Sequence, residues 1–465
     1  MGYRLLVKIG RIYTQASVKW AKIMAQTAMP ELSLMDSDGK AGTMIKVFKF
    51  GGASVNSIDR IQQLARILEQ YRDDQLVLII SAMGKTTNAL EKVAEAFYAG
   101  NQEEAIQLFH VVKQQHLTTA KYLLVTHYNA CHDQLNDFFT EAEWLLHDKP
   151  VRNYDYYYDQ LVCIGELLST CIISYFLNEK GLFNTWLDIR DLLRTDDNFR
   201  DANVDWEFSG PRIHKAIHEA LSATKCCIVQ GFIGSTDENE STTLGREGSD
   251  FTAAIVANVL DASGLTIWKD VEGVMNADPR QFPEAQYISE LSFEEVIEMA
   301  YYGAQVIHPK TIKPLQNKNI PLYVKCFLDT SLPGTAITGK KVKQLPPVIV
   351  VKKDQVLMHL HSQDFSFVGE KPLGDLYTIF NETRFKPNLI QTGAISVQLC
   401  VDNRTEKLDQ LATKAATLFD VQIEKGLTLL TIRHYTVDLL QKMTAGKKIV
   451  LQQQTTETVQ VLYHE

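Results

Sequence analysis

Between residue 44 and about residue 335, short and almost continuously apolar segments alternate with helical segments. QLVLIIS (75–81), KCCIVQGFIG (225–234) and GLTIWKD (264–270) are the clearest apolar segments, and this composition is typical of parallel strands that are covered on both faces. Helical stretches such as 159–177 and 251–260 separate them. The alternation predicts an α/β sandwich that binds its ligands beyond the carboxyl ends of the strands.

The pattern of predicted strands and helices changes after DTSLPGT (329–335), a segment that we interpret as a domain boundary. The segments that follow, from VLMHLHS to DVQIEKG, read β-α-β-β-α-β, which is the ferredoxin-like order. A second copy begins at LTLLTIRHY, and the chain ends before the last helix and strand of that copy. We therefore predict a first domain over 44–335, a complete repeat over 346–425 and a truncated repeat over 426–465.

The first thirty residues contain five Lys or Arg and no acidic residue. This composition suits a transit-type segment, or an upstream start codon that precedes Met44 as the physiological first residue. We favour the second interpretation and treat 1–43 as an N-terminal extension, disordered or belonging to a mis-assigned start.

Bulk composition excludes several classes of protein. A chain of 465 residues is too long for one ordinary hydrophobic core, so two or three domains are expected. The formal net charge of −9 argues against a nucleic-acid-binding surface. From the sequence we expect no apolar run close to the roughly 18 residues that span a bilayer. Seven scattered cysteines without a CxxC pair indicate a reducing compartment and no structural zinc. We expect a cytoplasmic protein that binds neither membrane nor nucleic acid.

The segment KVFKFGGASVNS (46–57) joins a strand to a helix through two glycines. Gly51 and Gly52 let the backbone approach a ligand closely, and a helix N-terminus, capped by Asn56 or Ser57, favours an anion. Beside them, the Lys49 ammonium suits a phosphate. The alternative is a purely structural turn with an exposed lysine.

Two further motifs carry polar groups. SAMGKTTN (81–88) follows an apolar strand and offers the hydroxyls of Ser81 and Thr87 for phosphate or carboxylate oxygens. GELLST (165–170) places Glu166 in an apolar helical segment, where a carboxylate needs a cation. The alternative for Glu166 is a partly exposed position on a helix.

The segment TTLGREGSDFTAAIVANVL (242–260) is a Gly-Arg-x-Gly-Ser-Asp turn that leads directly into a helix. Ser249 or Asp250 is the predicted N-cap. Arg246 offers a planar fork for a carboxylate or phosphate, and Asp250 can receive an ammonium or orient Lys49.

The segment IWKDVEGVMNADPRQF (267–282) ends a strand at Lys269 and Asp270, turns at Gly273 and reaches Arg280. A polar loop beyond a parallel strand suits the ribose and phosphates of a nucleotide.

Taken in order, KFGGASV, SAMGKTTN, GELLST, TTLGREGSD, WKDVEGVMNADPR and GAQVIHPKT resemble the motifs of the aspartokinases, members of the amino-acid kinase family with tandem ACT domains. The resemblance covers residues 44–465. It implies an amino-acid kinase-like three-layer α/β/α sandwich with a mainly parallel sheet, followed by ferredoxin-like ACT domains.

The resemblance also implies roles for the motif residues. Lys49 faces the transferring γ-phosphoryl group, and Asp250 positions substrate and lysine. Arg246 binds the α-carboxylate of aspartate and Glu166 its α-ammonium. The other residues implied are Ser81, Thr87 and Ser249 for aspartate, and Gly51, Gly52, Ser54, Lys269, Asp270, Met275 and Arg280 for ATP.

The activity implied is ATP-dependent phosphorylation of the β-carboxylate of L-aspartate to 4-phospho-L-aspartate, the first step towards lysine, threonine and methionine. ATP and Mg²⁺ are the implied cofactors, with no metal ligand assigned in the chain. An amino-acid effector at the ACT region and a homodimer are also expected. The alternatives are a kinase for another acidic amino acid and a non-catalytic ACT-based sensor.

The sequence departs from the family pattern at several positions. Ala53 replaces a threonine, Glu247 a glycine, and Gln305 a lysine that contacts nucleotide phosphates. In the first ACT repeat, Asn388, Gly393 and Ala394 replace an acid, a serine and an acid around the effector. This change predicts that lysine inhibition through that site is weakened.

Overall fold

The computed structural model of the protein describes residues 44–464. The predicted N-terminal extension lies outside the described residues. The predicted domain boundaries at 335, 346 and 425 stay predictions.

The first part of the chain alternates strands and helices, as expected. Its strands are β1 Ile45–Phe50, β2 Gln75–Ile80, β3 Thr185–Trp186, β4 Cys226–Gln230, β5 Ile233–Ser235, β6 Ser241–Thr243, β7 Gly264–Lys269, β8 Val274–Met275, β9 Tyr287–Ile288, β10 Glu290–Ser292, β11 Leu322–Cys326 and β12 Thr335–Thr338. Its helices are α1 Ile58–Glu69, α2 Thr86–Tyr98, α3 Gln102–Leu123, α4 Tyr128–His147, α5 Tyr154–Val162, α6 Ile164–Glu179, α7 Trp206–Thr224, α8 Gly248–Val259, α9 Phe293–Tyr302 and α10 Pro309–Asn317.

Eight of these strands form one sheet in the order β10-β12-β11-β7-β1-β2-β4-β3. All pairings from β11 to β3 are parallel, and only β12 runs antiparallel to β11. Consecutive residues of β2 are buried, so helices cover both faces of the sheet. Phe50 is paired with Ile80 and Trp268, which brings the carboxyl ends of three strands, and the motifs after them, to one edge. The predicted mainly parallel sandwich is confirmed.

The expectation that no apolar run reaches membrane-spanning length was wrong for one segment. Among the described residues, Tyr154–Glu179 is long and apolar enough to cross a membrane by length and composition. In the fold, 89% of its most apolar window is buried inside the protein. It forms α5 and α6, whose apolar residues pack in the core.

The second part of the chain forms a six-stranded antiparallel sheet in the order β14-β15-β13-β16-β18-β17. The strands are β13 Val348–Ser362, β14 Leu389–Thr392, β15 Ser396–Asp402, β16 Phe419–Arg433, β17 Lys448–Gln454 and β18 Thr458–His464, and the helices are α11 Glu370–Thr383, α12 Thr405–Ala415 and α13 Val437–Thr444.

The two ferredoxin-like copies share this sheet through two long strands. β13 and β16 each have 15 residues, and the first half of β16 closes the first copy beside β13. The second half of β16 opens the second copy and pairs with β18. On the other side of β16, this second half pairs with the start of β13, where Val348 lies opposite Arg433. The start of β13 therefore lies beside the second half of β16, in the position that the fourth strand of a ferredoxin-like unit takes next to the first.

Candidate active site

Lys49 is the fifth residue of β1, and its side chain meets the first turn of α8. Its Nζ lies 2.6 Å from Asp250 Oδ1, and the two side chains are only 12% and 4% exposed. Burial raises the pKa of Asp250, but the positive charges of Lys49 and Lys269 outweigh burial and leave that pKa below its ordinary value. The Asp250 carboxyl is therefore held in its ionised form beside the Lys49 ammonium group.

The turn after β1 needs glycine for a steric reason. A Cβ on Gly52 would lie 2.7 Å from the carbonyl oxygen of Ala82 and 2.9 Å from that of Gly84. The Gly52 carbonyl accepts a hydrogen bond from Gly84 N at 3.0 Å. The first two sequence motifs thus interlock at the carboxyl ends of β1 and β2. Ser57, one of the two predicted caps of α1, accepts from Arg60 N at 3.3 Å.

The predicted N-cap of α8 was wrong. The cap is Glu247, in the left-handed region with φ of 56°, and the helix begins at Gly248. The cap therefore lies two residues before Ser249, the nearer of the two predicted caps, and the first helical residue packs so closely that a Cβ on Gly248 would lie 2.6 Å from Phe232 Cδ2. Ser249 and Asp250 consequently lie within the first turn.

Glu247 also explains one departure from the family pattern. Its Oε2 accepts a hydrogen bond from His308 N at 2.9 Å. His308 caps α10, so the acid fixes a loop to a helix N-terminus, where negative charge is favourable.

Glu166 is 2% exposed, so the alternative of a partly exposed helix position is wrong. Its Oε1 accepts from Ala82 N at 3.2 Å, and its Oε2 has no hydrogen-bond partner among residues 44–464. Burial raises the pKa of Glu166 to about 8, although the Ala82 amide and the charge of Lys49 oppose that rise. The carboxyl therefore has an open position for a cation that the described chain does not fill.

A cavity of about 440 Å³ brings most of the predicted substrate residues together. Arg246 lines it with a side chain that is exposed to solvent. The residues that line this cavity include Lys49, Gly52, Ser81, Thr87, Glu166, Arg246, Ser249 and Asp250. We call this space the first cavity.

A second cavity, of about 770 Å³, contains the other predicted motif. It is lined by Lys269, Asp270, Met275 and Arg280, with Gln305 beside them. The start of β13 forms one wall, so the C-terminal sheet contributes to it.

The cations of the second cavity differ in how they are held. Lys269 Nζ donates to the carbonyl of Val306 at 2.8 Å. Arg280 Nη2 lies 3.0 Å from Asp278 Oδ2, with its side chain 84% exposed.

Two predicted nucleotide residues line neither of these cavities. Ser54 is buried, and its hydroxyl donates to the carbonyl of Trp268 at 3.4 Å. Gly51 lies beside the site, since a Cβ there would be 3.3 Å from Lys49 Nζ.

Sequence reasoning missed several residues of the first cavity. They are Tyr158, Arg200, Phe232 and Thr243. Thr243 stands inside a quoted motif, but a threonine in a strand has no chemical signature. Arg200 and Tyr158 belong to no motif, and the tyrosine-rich stretch around Tyr158 reads equally well as core.

Comparison with known proteins decides the family. Residues 44–326 match the sequence profile of the Amino acid kinase family. Lysine-sensitive aspartokinase 3 of Escherichia coli (strain K12) is 31% identical over 419 residues, which are 87% of this chain and 90% of that protein. The chain belongs to the aspartokinases of the amino acid kinase family.

Other comparisons agree with this assignment. Aspartokinase 2, chloroplastic, of Arabidopsis thaliana is 30% identical over 421 residues, 85% of this chain and 75% of that protein. Among solved structures, E. coli aspartokinase III in complex with aspartate and ADP (R-state) has a TM-score of 0.77 at 27% identity, covering 90% of this chain and 96% of that one. The same protein with lysine and aspartate (T-state) gives 0.74 at 28%, covering 90% and 95%. The resemblance drawn from the sequence motifs is confirmed.

Carboxylates in both cavities bear on whether a Mg²⁺ ion could bind together with nucleotide phosphates. The described part of the chain contains no group of three or more His, Cys, Asp or Glu suited to a metal ion. Mg²⁺ usually binds one or two carboxylates together with substrate phosphates, and Asp250 and Asp270 offer one carboxylate in each cavity.

Proposed function

We propose that this aspartokinase transfers the γ-phosphoryl group of ATP to the β-carboxylate of L-aspartate, giving 4-phospho-L-aspartate. The observation that carries the proposal is the buried ion pair of Lys49 and Asp250, in a cavity that also holds an unpaired carboxyl and an arginine. The positive charge of Lys269, which lines the second cavity, also lowers the pKa of Asp250. The carboxylate that accepts the phosphoryl group, on one side, and the nucleotide that donates it, on the other, would meet at this pair.

The charges of the first cavity match those of an amino acid. The Glu166 carboxyl has an open oxygen for the α-ammonium. Arg246 makes no hydrogen bond or ion pair with the part of the chain that the structure describes, and its planar fork suits the α-carboxylate. With both ends of the amino acid held, the side-chain carboxylate would point towards Lys49. The hydroxyls of Ser81, Thr87 and Ser249 complete this set.

The chemistry follows from this placement. A carboxylate is already ionised near neutral pH, so the attack on phosphorus needs no general base. Lys49 would neutralise charge on the phosphoryl oxygens, and Asp250 orients its ammonium group through the 2.6 Å contact. Mg²⁺ bound with ATP would neutralise further phosphate charge. Holding both reactants in adjacent cavities supplies the proximity contribution.

We propose the second cavity as the ATP site. Its volume of about 770 Å³ suits a nucleotide. Lys269, Asp270, Met275 and Arg280 line it, and Gln305 stands near Lys269, whose ammonium bonds to Val306. Lys269 is thus the cation available where the family lysine is replaced.

Regulation by an amino-acid effector at the ACT region is part of the proposal, with weakened lysine inhibition. Asn388 is already engaged inside the protein: its Oδ1 accepts from Lys352 Nζ at 2.7 Å. Its Nδ2 donates to Gln355 and Asp402 at 2.7 and 2.8 Å. An amide used in this way lacks the charge that an effector ammonium needs. A homodimer and a cytoplasmic location remain expectations.

The proposal is tested by Lys49→Ala, with Lys46→Ala as a control on the same strand. Lys46 pairs with Asp74 at 2.6 Å and is 35% exposed, so its loss costs little. We expect Lys49→Ala to lower kcat on the order of a hundred- to a thousand-fold and to leave aspartate binding measurable by calorimetry. Lys46→Ala should stay within about twofold of the wild type.

If the wild-type protein binds aspartate but makes no ADP, the proposed kinase activity is refuted and the non-catalytic sensor function is favoured. Equal turnover by Lys49→Ala and the wild type would refute the assigned role of the lysine.

A further inference from the structure

A second buried carboxylate lies next to the first cavity and has no role in the chemistry above. Asp159, on α5, is fully buried. Its Oδ1 accepts from Thr243 Oγ1 at 2.7 Å, and its Oδ2 accepts from Thr243 N at 2.8 Å and Arg200 N at 3.0 Å. Burial raises the pKa of Asp159 to about 6 in spite of these bonds. Burying a carboxylate destabilises the folded protein unless it is hydrogen-bonded. The hydrogen bonds of Asp159 all go to Thr243 and Arg200.

Both residues that Asp159 holds belong to the wall of the first cavity. Thr243 ends β6, and the turn that carries Arg246 begins directly after it. The carbonyl of Thr243 accepts from Ala202 N at 3.0 Å. Asp159 therefore ties together a helix, the loop around Arg200 and the strand from which the arginine turn starts.

The turn that carries Arg246 packs tightly against the loop around Arg200. Gly245 has φ of +76°, and a Cβ there would lie 2.6 Å from Asp201 Oδ1 and 3.1 Å from the carbonyl of Arg200. A shift of the Arg200 loop would consequently move the Gly245 backbone and the Arg246 side chain that follows it. The far end of the turn is fixed separately by Glu247.

Arg200 adds a second guanidinium to the cavity. Its Cζ lies 4.3 Å from the centroid of the Tyr158 ring. Its Nη1 is 3.4 Å from Asp155 Oδ1 and its Nη2 is 3.5 Å from Glu91 Oε1. These contacts orient the side chain, while Asp159 holds its backbone.

We propose that Asp159 is a positioning residue for the amino-acid substrate. By accepting three hydrogen bonds from Thr243 and Arg200, it fixes the cavity wall that presents Arg246 to the α-carboxylate. The inference rests on the proposed function, since it assigns Asp159 to the aspartate side of the reaction. Asp159 itself lines neither the first cavity nor the second.

The test is Asp159→Asn, which keeps the shape, replaces the charged acceptor of the two N–H groups with a neutral carbonyl, and sets an NH2 donor against the Thr243 hydroxyl that now donates. We expect the KM for aspartate to rise roughly tenfold or more, while the KM for ATP stays within about twofold. Asp155→Asn is the control, because Asp155 lies one turn earlier on the same helix and contacts only the Arg200 side chain of this group. It should change the KM for aspartate less than about threefold.

A rise in both KM values together, or in neither, overturns the inference. If Asp159→Asn fails to fold, Thr243→Val and Thr243→Ser decide: Val should raise the KM for aspartate severalfold, and Ser, which keeps the hydroxyl, should restore it. Equal kinetics of both variants and the wild type would also overturn it. A wild type without aspartate turnover refutes the proposed function and the inference with it, whereas an active wild type with insensitive variants refutes the inference alone.

Discussion

Binding of aspartate should release a proton from Glu166. The pKa of this carboxyl is raised to about 8 by burial, so near pH 7 about nine-tenths of the molecules carry it protonated. An α-ammonium needs the carboxylate form as its partner. Aspartate should therefore displace about 0.9 proton per site at pH 7, and the apparent affinity should weaken roughly fifteenfold from pH 8 to pH 6.5, as the ionised fraction falls.

The same shift has a consequence for stability. The folded-state pKa lies above the ordinary value of 4.5, so the unfolded state loses this proton first as the pH rises. Folding stability due to this group falls between about pH 4.5 and 8 and stays low above that range. Glu166→Gln removes this loss and keeps an oxygen for the Ala82 amide. The variant should be more stable than the wild type, on the order of 3 kcal/mol at pH 7, while losing aspartate affinity.

Titration calorimetry in phosphate and in Tris at pH 7 measures the proton release, because the two buffers differ in ionisation enthalpy. The wild type should show a buffer-dependent heat, and so should Glu179→Gln, which alters an acid at the end of the same helix. Glu166→Gln should bind weakly and without proton release. Identical heats for the wild type in both buffers, with an aspartate KM that is flat from pH 6.5 to 8, would refute the assignment of Glu166 to the ammonium.

Three further outcomes follow from the contacts described here. Arg433→Ala should lower the free energy of unfolding by about 3 kcal/mol in urea, because Arg433 Nη2 and Glu295 Oε2 form a 2.7 Å pair with side chains 8% and 7% exposed; an unchanged urea midpoint would contradict this. Gly52→Ala should abolish turnover or folding, since its Cβ would overlap two backbone oxygens. Gly374→Ala, at an exposed position inside α11 with nothing described within 4 Å of its Cβ, should instead raise stability by about 0.5–1 kcal/mol in thermal melts. Glu247→Ala should cost about 1–2 kcal/mol in thermal melts, because it leaves the amide at the start of α10 without its acceptor; a melting temperature equal to that of the wild type would argue against that anchor.

The residues that could be predicted from sequence are those whose chemistry and position are both local. Lys49, Arg246 and Asp250 stand in short glycine-containing segments at the ends of strands or the start of a helix, and parallel strands bring such ends to one edge. Glu166 was predictable from the conflict between a carboxylate and its apolar neighbours. In each case a few adjacent residues contain the signal.

The features that were missed depend on contacts between distant residues. Asp159 binds Thr243, 84 residues away, and Arg200, 41 residues away, and no periodicity within α5 marks it. The close approach of Gly248 to Phe232, at the start of α8, likewise joins two segments that are separate in the sequence.

At the level of the fold, the sharing of one sheet by two repeats was also missed. It requires β13 and β16 to run on past the end of one repeat into the other. The hydrophobic pattern of a strand is the same in either sheet position, so the sequence could not distinguish them.

Hydroxylamine trapping of the acyl phosphate tests the central claim most directly. Purified protein would be incubated with Mg·ATP and either aspartate or glutamate, and hydroxamate and ADP would be measured together. The proposed function predicts equal amounts of hydroxamate and ADP with aspartate, little of either with glutamate, and loss of both in Lys49→Ala. Folded wild-type protein that yields no hydroxamate with aspartate, or as much with glutamate, would contradict it.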